Sequence, residues 1–541
     1  MKRYYTVVIL VIALLLLPIV IWYAQPQKDI TVAVVDKTVL ADDYREHGGV
    51  SWLLNYLKIP DTAGNTFEMA NDYFGVTYDE STATYSEIPL PTDYTDYDAV
   101  YLADTYGVYE DPTNNTGAAQ FGNRSKKIYG GLTLSEWQSM AKRFTDNKPS
   151  LMVAEYNTFA SPTDPTVRDS MLRYLGITWN GWIGRYFTDL DPESDPDIKQ
   201  WLAYNNITDW PYTGPGLLFI NDINQDIVVL EEGKDFSENG VSLEYTDAGK
   251  DFFNLSRSTR YDYWFDVVEA TSATTVLANY DFGLTDTGSQ IMKDHDIALQ
   301  PAAVTQFLLD NNQSYYFAGD FNDKENLPGF YQYKGMATLA KWVVNVTGGD
   351  FYWSAYALMM DRIIKGFEEM KANPVVSQTD DTVETPYQFK VAGDKFEVLQ
   401  EDGSWQAITI KGVNIGMADA GHFPGEAALT YDEYARWFQQ IGEMNANAIR
   451  IYTLHPPAFY QALLDYNKTH ADAPIYVFHG VWMNEEMSEA AQNVYDEATL
   501  NDFREQMRAT VDVVHGNKII ETEPGHAYGM YDADISPYVI G

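Results

Sequence analysis

The chain has 541 residues, a formal net charge of -42 and a sequence pI near 4.3. That length allows two or three domains with separate cores, and so acidic a balance excludes nucleic acid, whose phosphates need a basic surface. The absence of cysteine excludes disulfides, thiolate metal sites and a Cys nucleophile.

Met1, Lys2 and Arg3 precede an uncharged run from Tyr4 to Tyr23. Roughly 20 such residues match the bilayer's apolar thickness, Trp22 and Tyr23 suit an interfacial belt, and the basic end is expected inside. No small-x-small cleavage pattern follows, since Ala24, Gln25 and Pro26 come next. The expectation is an uncleaved single-pass anchor over 1–26, with a cell-membrane location and the bulk of the chain extracytoplasmic.

From Asp29 the pattern is α/β. Ile30 to Val35, Ala99 to Ala103 and Leu151 to Ala154 are short apolar runs of strand length. They alternate with helical segments at Val50 to Leu57 and after the capping pair Thr133 and Glu136. Alternation of this kind predicts a doubly wound, largely parallel sheet covering 27–371, with a large insertion after Trp179 and a packing helix over Asp350 to Met370. In such sheets ligands collect beyond the carboxyl ends of the strands. Asp36, Asp104 and Glu155 fall at those ends, with Arg45 just after the first. These four residues define a possible second pocket, and polar strand caps in water are an equal alternative. The arrangement resembles glutamine-amidotransferase-like and flavodoxin-like domains at fold level, but the amidotransferase reaction needs a Cys that the chain lacks.

Ala372 to Pro386 is polar, proline-bracketed and aperiodic, the pattern of a linker. The last segment, 387–541, begins with alternating apolar residues broken by Gly393 and Gly403, which predicts a small β-hairpin region. A strand-like run from Ile408 to Val413 follows, then a Gly-rich loop with Asn414 and His422. A helix starts at the T-x-x-E capping box of Thr430 and Glu433 and carries Tyr434, Phe438 and Ile441 on one face. Ala448 to Leu454 and Ile475 to Phe478 read as further strands, and Ile535 to Gly541 as the start of a fourth.

Lys411-Gly412-Val413-Asn414, Asn447-Ala448-Ile449-Arg450 and Tyr452-Thr453-Leu454-His455 resemble the opening of TIM-barrel glycoside hydrolases of the large retaining clan. The resemblance implies that 408–541 is a partial, truncated (β/α) barrel, since a full one takes about 250 residues. It implies that the two catalytic carboxylates, on strands four and seven, lie at or past Gly541. Arg450 then matches the arginine that holds the nucleophile ionised, as a planar guanidinium can clamp a carboxylate. Asn414, His422, Tyr452, His455, His479 and Trp482 would line sugar subsites. The implied protein is a retaining glycoside hydrolase or transglycosidase acting on β-glycans, inactive over this span, with a polysaccharide or oligosaccharide as partner. The rival is a non-catalytic polysaccharide-binding or assembly protein.

Six histidines (422, 455, 470, 479, 515 and 526) fall in the last segment, but without metal-ligand spacing. No metal and no cofactor are expected. Glu485 and Glu486 read as dipole-favoured acids opening a helix rather than a catalytic pair.

Overall fold

Val32–Asp36, VAVVD, is buried along its whole length, and Ala99–Asp104 and Ser150–Glu155 are buried in the same way. Strands apolar on both faces belong inside a sheet covered on both sides. A computed structural model describes residues 2–40, 44–110, 126–145, 148–205, 207–237, 240–309, 311–324, 326–347, 350–374, 389–400, 403–423, 427–516, 518–520 and 527–541. The chain divides into two compact units, 1–377 and 378–541. Most of the linker expected over 372–386 lies outside the described residues.

The first unit is built on a fourteen-stranded sheet. Phe74–Asp79, Val32–Asp36, Ala99–Asp104, Ser150–Glu155 and Asn312–Phe317 lie side by side and parallel. Beyond Asn312–Phe317 the neighbours Ala302–Leu309, Phe265–Ala270, Ile177–Phe187, Gly216–Asn221 and Ile227–Glu231 all pair antiparallel. The sheet is therefore mixed, which corrects the expectation of a largely parallel one. The region after Trp179 supplies the antiparallel strands of this sheet, with the helices Pro196–Tyr204, Asp247–Phe253 and Asp286–Asp294 among them.

Among the described residues no helix is long and apolar enough to cross a membrane, so the expected transmembrane anchor and the membrane as partner are corrected. Lys2–Ala24 is helical, but its last turn is docked on the first unit. Trp22 is buried; its Nε1–H donates to Tyr56 O at 2.9 Å, and the Lys58 ammonium lies over its ring. The Lys334 backbone N–H donates to Pro18 O. An aromatic expected at a lipid interface is thus part of a protein core.

The helix predicted from Val50 starts earlier, at Arg45–Tyr56, after Tyr44 takes a left-handed conformation. This brings Glu46 and His47 into its first turn. The helix predicted over Asp350 to Met370 is a π turn, Tyr352–Tyr356, running into Ala357–Ala372.

In the second unit, Phe389–Ala392, Lys395–Leu399 and Trp405–Ile408 form a three-stranded antiparallel sheet. Gly412–Asn414, Ala448–Ile451 and Tyr476–His479 form a separate parallel one. Thr430 and Glu433 make the capping box that starts Tyr431–Glu443. Tyr434, Phe438 and Ile441 from that helix pack with Ile449, Phe459, Leu463 and Val477 in the unit's core. Among the described residues the parallel sheet has three strands and no closed barrel. The fourth strand expected from Ile535 is a 3-10 turn, Ser536–Tyr538. A single parallel bridge from Val539 to Val477 follows it.

Candidate functional site

At the carboxyl ends of the parallel strands in the first unit, acids from distant parts of the chain meet. Asp36 Oδ2 lies 2.6 Å from His47 Nδ1, and both side chains are fully buried. His47 Nε2 faces Met69 O at 2.8 Å; a carbonyl only accepts, so Nε2 carries a proton. Thr38 joins two of the acids: its N–H donates to Asp36 Oδ1 at 2.8 Å and its hydroxyl to Asp104 Oδ1 at 2.5 Å. The Tyr106 N–H also donates to Asp104 Oδ1. Burial pushes the Asp104 carboxyl up to about 7, with the Thr38 hydroxyl opposing and nearby Asp36 adding to the rise.

Glu155, ending the next strand, accepts from the Tyr101 hydroxyl and, at 3.3 Å, from the Asn322 N–H. Burial holds its carboxyl well above the ordinary range despite the Tyr101 bond. Asp266, on the antiparallel strand Phe265–Ala270, accepts from the Tyr316 hydroxyl, and burial pushes it up to about 8. Asp36, Asp104 and Glu155 thus sit on one rim, but as a closed network at most 3% exposed rather than as the wall of an open cleft.

The rim meets solvent at Arg45, Asp320 and Asp323. Arg45 Nη2 donates to Glu46 Oε1 at 3.0 Å and its Nε lies 3.1 Å from Asp323 Oδ1. Burial works against the guanidinium's charge, but Glu46 and Asp323 outweigh it and hold the proton more tightly than usual. The Asp320 N–H donates to the Tyr261 hydroxyl at 2.7 Å. Carboxylate oxygens of Glu46, Asp320 and Asp323 all lie within 4.8 Å of one another. Burial first, then the neighbouring acids, raise the Glu46 and Asp320 carboxyls well above their ordinary values.

The second unit carries a different face. Parallel register puts Asn414, Arg450 and Phe478 in one row across three strands. The alternate row, Val413, Ile449 and Val477, faces the core. Arg450 is exposed, and its guanidinium stacks 4.5 Å from the centroid of Tyr452. Among the described residues no carboxylate is within ion-pair distance of it. Tyr452 is 45% and Trp482 53% exposed. Gly480 lets the two loops approach: its N–H donates to Ile451 O at 2.8 Å, and a Cβ there would come within 2.6 Å of Tyr452 O.

No family model matches the chain. No curated protein matches it either. One solved structure, the crystal structure of Agd3, a carbohydrate deacetylase, aligns over 84% of this chain at 10% identity and a TM-score of 0.26. The chain spans 46% of that protein's length. Neither a shared fold nor a shared activity follows from so slight a likeness.

The remaining predicted residues are dispersed. His455 is 2% exposed, so it is a core residue and not an open subsite. Its Nδ1 meets the Tyr434 hydroxyl at 3.0 Å, and its carbonyl accepts from the Tyr531 hydroxyl. Burial, then His479, lowers its pKa to about 3. His479 Nδ1 faces Gly480 O and its Nε2 the Tyr460 hydroxyl at 2.7 Å; burial lowers its pKa as well. Both imidazoles are neutral packing groups. His422 is exposed and bonded to Asp419, and His526 lies outside the described residues. Glu485 and Glu486 open the helix Glu485–Ala491, capped by Asn484. Sequence reasoning missed Glu46, Asp320 and Asp323, which no local spacing connects. The available signal was an acidic pair, Asp320 and Asp323, directly after the buried strand Asn312–Phe317.

Proposed function

We propose that the protein is carbohydrate-active and that the second unit binds a polysaccharide or oligosaccharide across the face of Asn414, Arg450, Tyr452 and Trp482. The observation that carries this reading is an exposed arginine stacked on an exposed tyrosine, without a described carboxylate partner, at the carboxyl ends of parallel strands. Aromatic faces stack on the apolar faces of sugar rings. A guanidinium offers five donors in a fixed fork to hydroxyls or to a sugar carboxylate, and carboxyl strand ends are where α/β folds collect ligands.

Retaining hydrolysis or transfer of β-glycosides is the finer reading. That chemistry needs two carboxylates about 5 to 5.5 Å apart, and Arg450 has none beside it among the described residues. Sugar binding is therefore the function supported best, and the resemblance of "KGVN" and "NAIR" supports glycosides as its ligands. Calorimetry with a panel of neutral and uronic β-linked oligosaccharides tests it. The expected result is at least one ligand binding with a Kd in the micromolar to millimolar range, weakened about tenfold or more in Trp482→Ala and in Arg450→Ala. Binding that both replacements leave unchanged would refute the assignment of this face.

A further inference from the structure

We infer that Glu46, Asp320 and Asp323 form a binding site for one calcium-sized divalent cation on the first unit, a site separate from the proposed sugar face. Three carboxylates reach one point from two elements: the first turn of Arg45–Tyr56 and the loop that follows Asn312–Phe317. Acid clusters alone are common, and this one has a further feature. Glu46 is 7% exposed, and its Oε2 is shut off from solvent with no hydrogen-bond partner among the described residues. A buried carboxylate oxygen left without a donor carries a desolvation cost of about 1–3 kcal/mol or more, which a cation in the cluster would relieve. Nearby, the Tyr280 hydroxyl is also buried, with no hydrogen-bond partner among the described residues. It lies against Gly319, where an added Cβ would come within 2.6 Å of it.

Ligand type and spacing select the ion. All three ligands are carboxylate oxygens, the choice of hard cations, and no thiolate exists in the chain. Ca2+ takes oxygens at about 2.3–2.6 Å, so two ligands on one ion lie at most about 5 Å apart, whereas Mg2+ at about 2.0–2.1 Å limits them to about 4.2 Å. Oxygens within 4.8 Å of one another fall inside the span of a Ca2+ shell, and three direct carboxylates exceed the one or two that Mg2+ usually takes. With a cation bound and all three carboxyls ionised, Arg45, paired to two of them, leaves two negative charges for one divalent ion to balance. Asp320 and Asp323 are only partly buried, so the ion has a path from solvent, and water completes its shell.

Tyr261, whose hydroxyl touches the Asp320 N–H, supplies a local reporter. The full chain, stripped with EGTA, is titrated with Tb3+ while tyrosine is excited and terbium emission is read. The expected result is saturable emission that Ca2+ displaces at lower concentration than Mg2+, and an affinity at least tenfold weaker in the double variant Glu46→Gln/Asp320→Asn. Each replacement keeps the size of the side chain, so the variant without metal should still melt cooperatively, which separates loss of the site from loss of the fold. Asp323→Asn, a single change at the third carboxylate, should weaken binding in the same direction. Absence of emission from the parent, or equal affinity in parent and variants, overturns the site.

Discussion

His47 and Asp36 meet in a hydrogen bond inside the first unit: Nδ1 and Oδ2 are 2.6 Å apart and neither side chain reaches solvent. The imidazole is pinned at its other nitrogen by Met69 O and stacked on Tyr73. Removing one partner leaves a buried polar group uncompensated, a loss of about 3–5 kcal/mol for such pairs. Asp36→Ala and His47→Phe should each destabilise by that amount in urea melts. The double variant should cost clearly less than their sum, because both single changes break the same bond. Strict additivity would show that the two side chains are not coupled.

Buried acids make the first unit respond to pH in an unusual direction. Asp104 is pushed up to about 7 and Asp266 to about 8, from near 3.8. Between those limits the folded state keeps protons that the unfolded chain has released, so stability falls as pH rises. Each group contributes a slope of up to about 1.4 kcal/mol per pH unit. Hydrogen exchange of Ala99–Asp104 should quicken, after correction for intrinsic rates, as pH rises from 5 to 8. Asp266→Asn should flatten the upper end of that window, and an unchanged slope in the variant would rule out Asp266 as its source.

The second unit should respond in the opposite sense. His455 is lowered to about 3 and His479 is lowered too, so the unfolded state takes up protons first as the solution is acidified. Stability from these neutral imidazoles is complete above about pH 6.5 and is lost as pH falls toward 3. Protection of Ala448–Ile451 should drop over that range while strands of the first unit hold. His455→Phe, which keeps the packing on Phe459, should reduce the acid sensitivity of the second unit alone.

What the sequence made legible follows from the range of each signal. The capping box at Thr430 and Glu433 spans four residues and forms as its spacing predicts. The buried strands ending in Asp36, Asp104 and Glu155 also stand out, because a fully apolar run has few alternatives to a covered sheet. Strand direction was not legible: Phe265–Ala270 and Ile177–Phe187 carry no local mark of being antiparallel. The run before Trp22 has the composition of a bilayer span, and only the distant Tyr56 and Lys58 reveal that Trp22 packs on protein. Likewise Glu46 and Asp320 become neighbours only through the sheet, and His455 cannot be told from a surface ligand without Tyr434 and Tyr531 around it.

Gly49 decides whether Glu46 and Asp320 can become neighbours. It lies one turn after Glu46 in Arg45–Tyr56, where Asn322 passes close enough that its side chain donates to Glu46 O and accepts from the Val50 N–H. A Cβ at Gly49 would lie 2.3 Å from Asn322 O and 2.7 Å from Tyr352 Cε2. In an exposed helix Gly→Ala gains about 1 kcal/mol. Here backbone occupies the space, and overpacking typically costs about 1–3 kcal/mol or more, so the clash should win. Gly49→Ala is expected to lower the melting temperature. By pushing the 320–323 loop from the helix it should also weaken Tb3+ binding, although no ligand atom has been changed. A stabilised variant with unaltered Tb3+ affinity would mean that the loop yields freely and that its contact with the helix does not set the geometry of the three carboxylates.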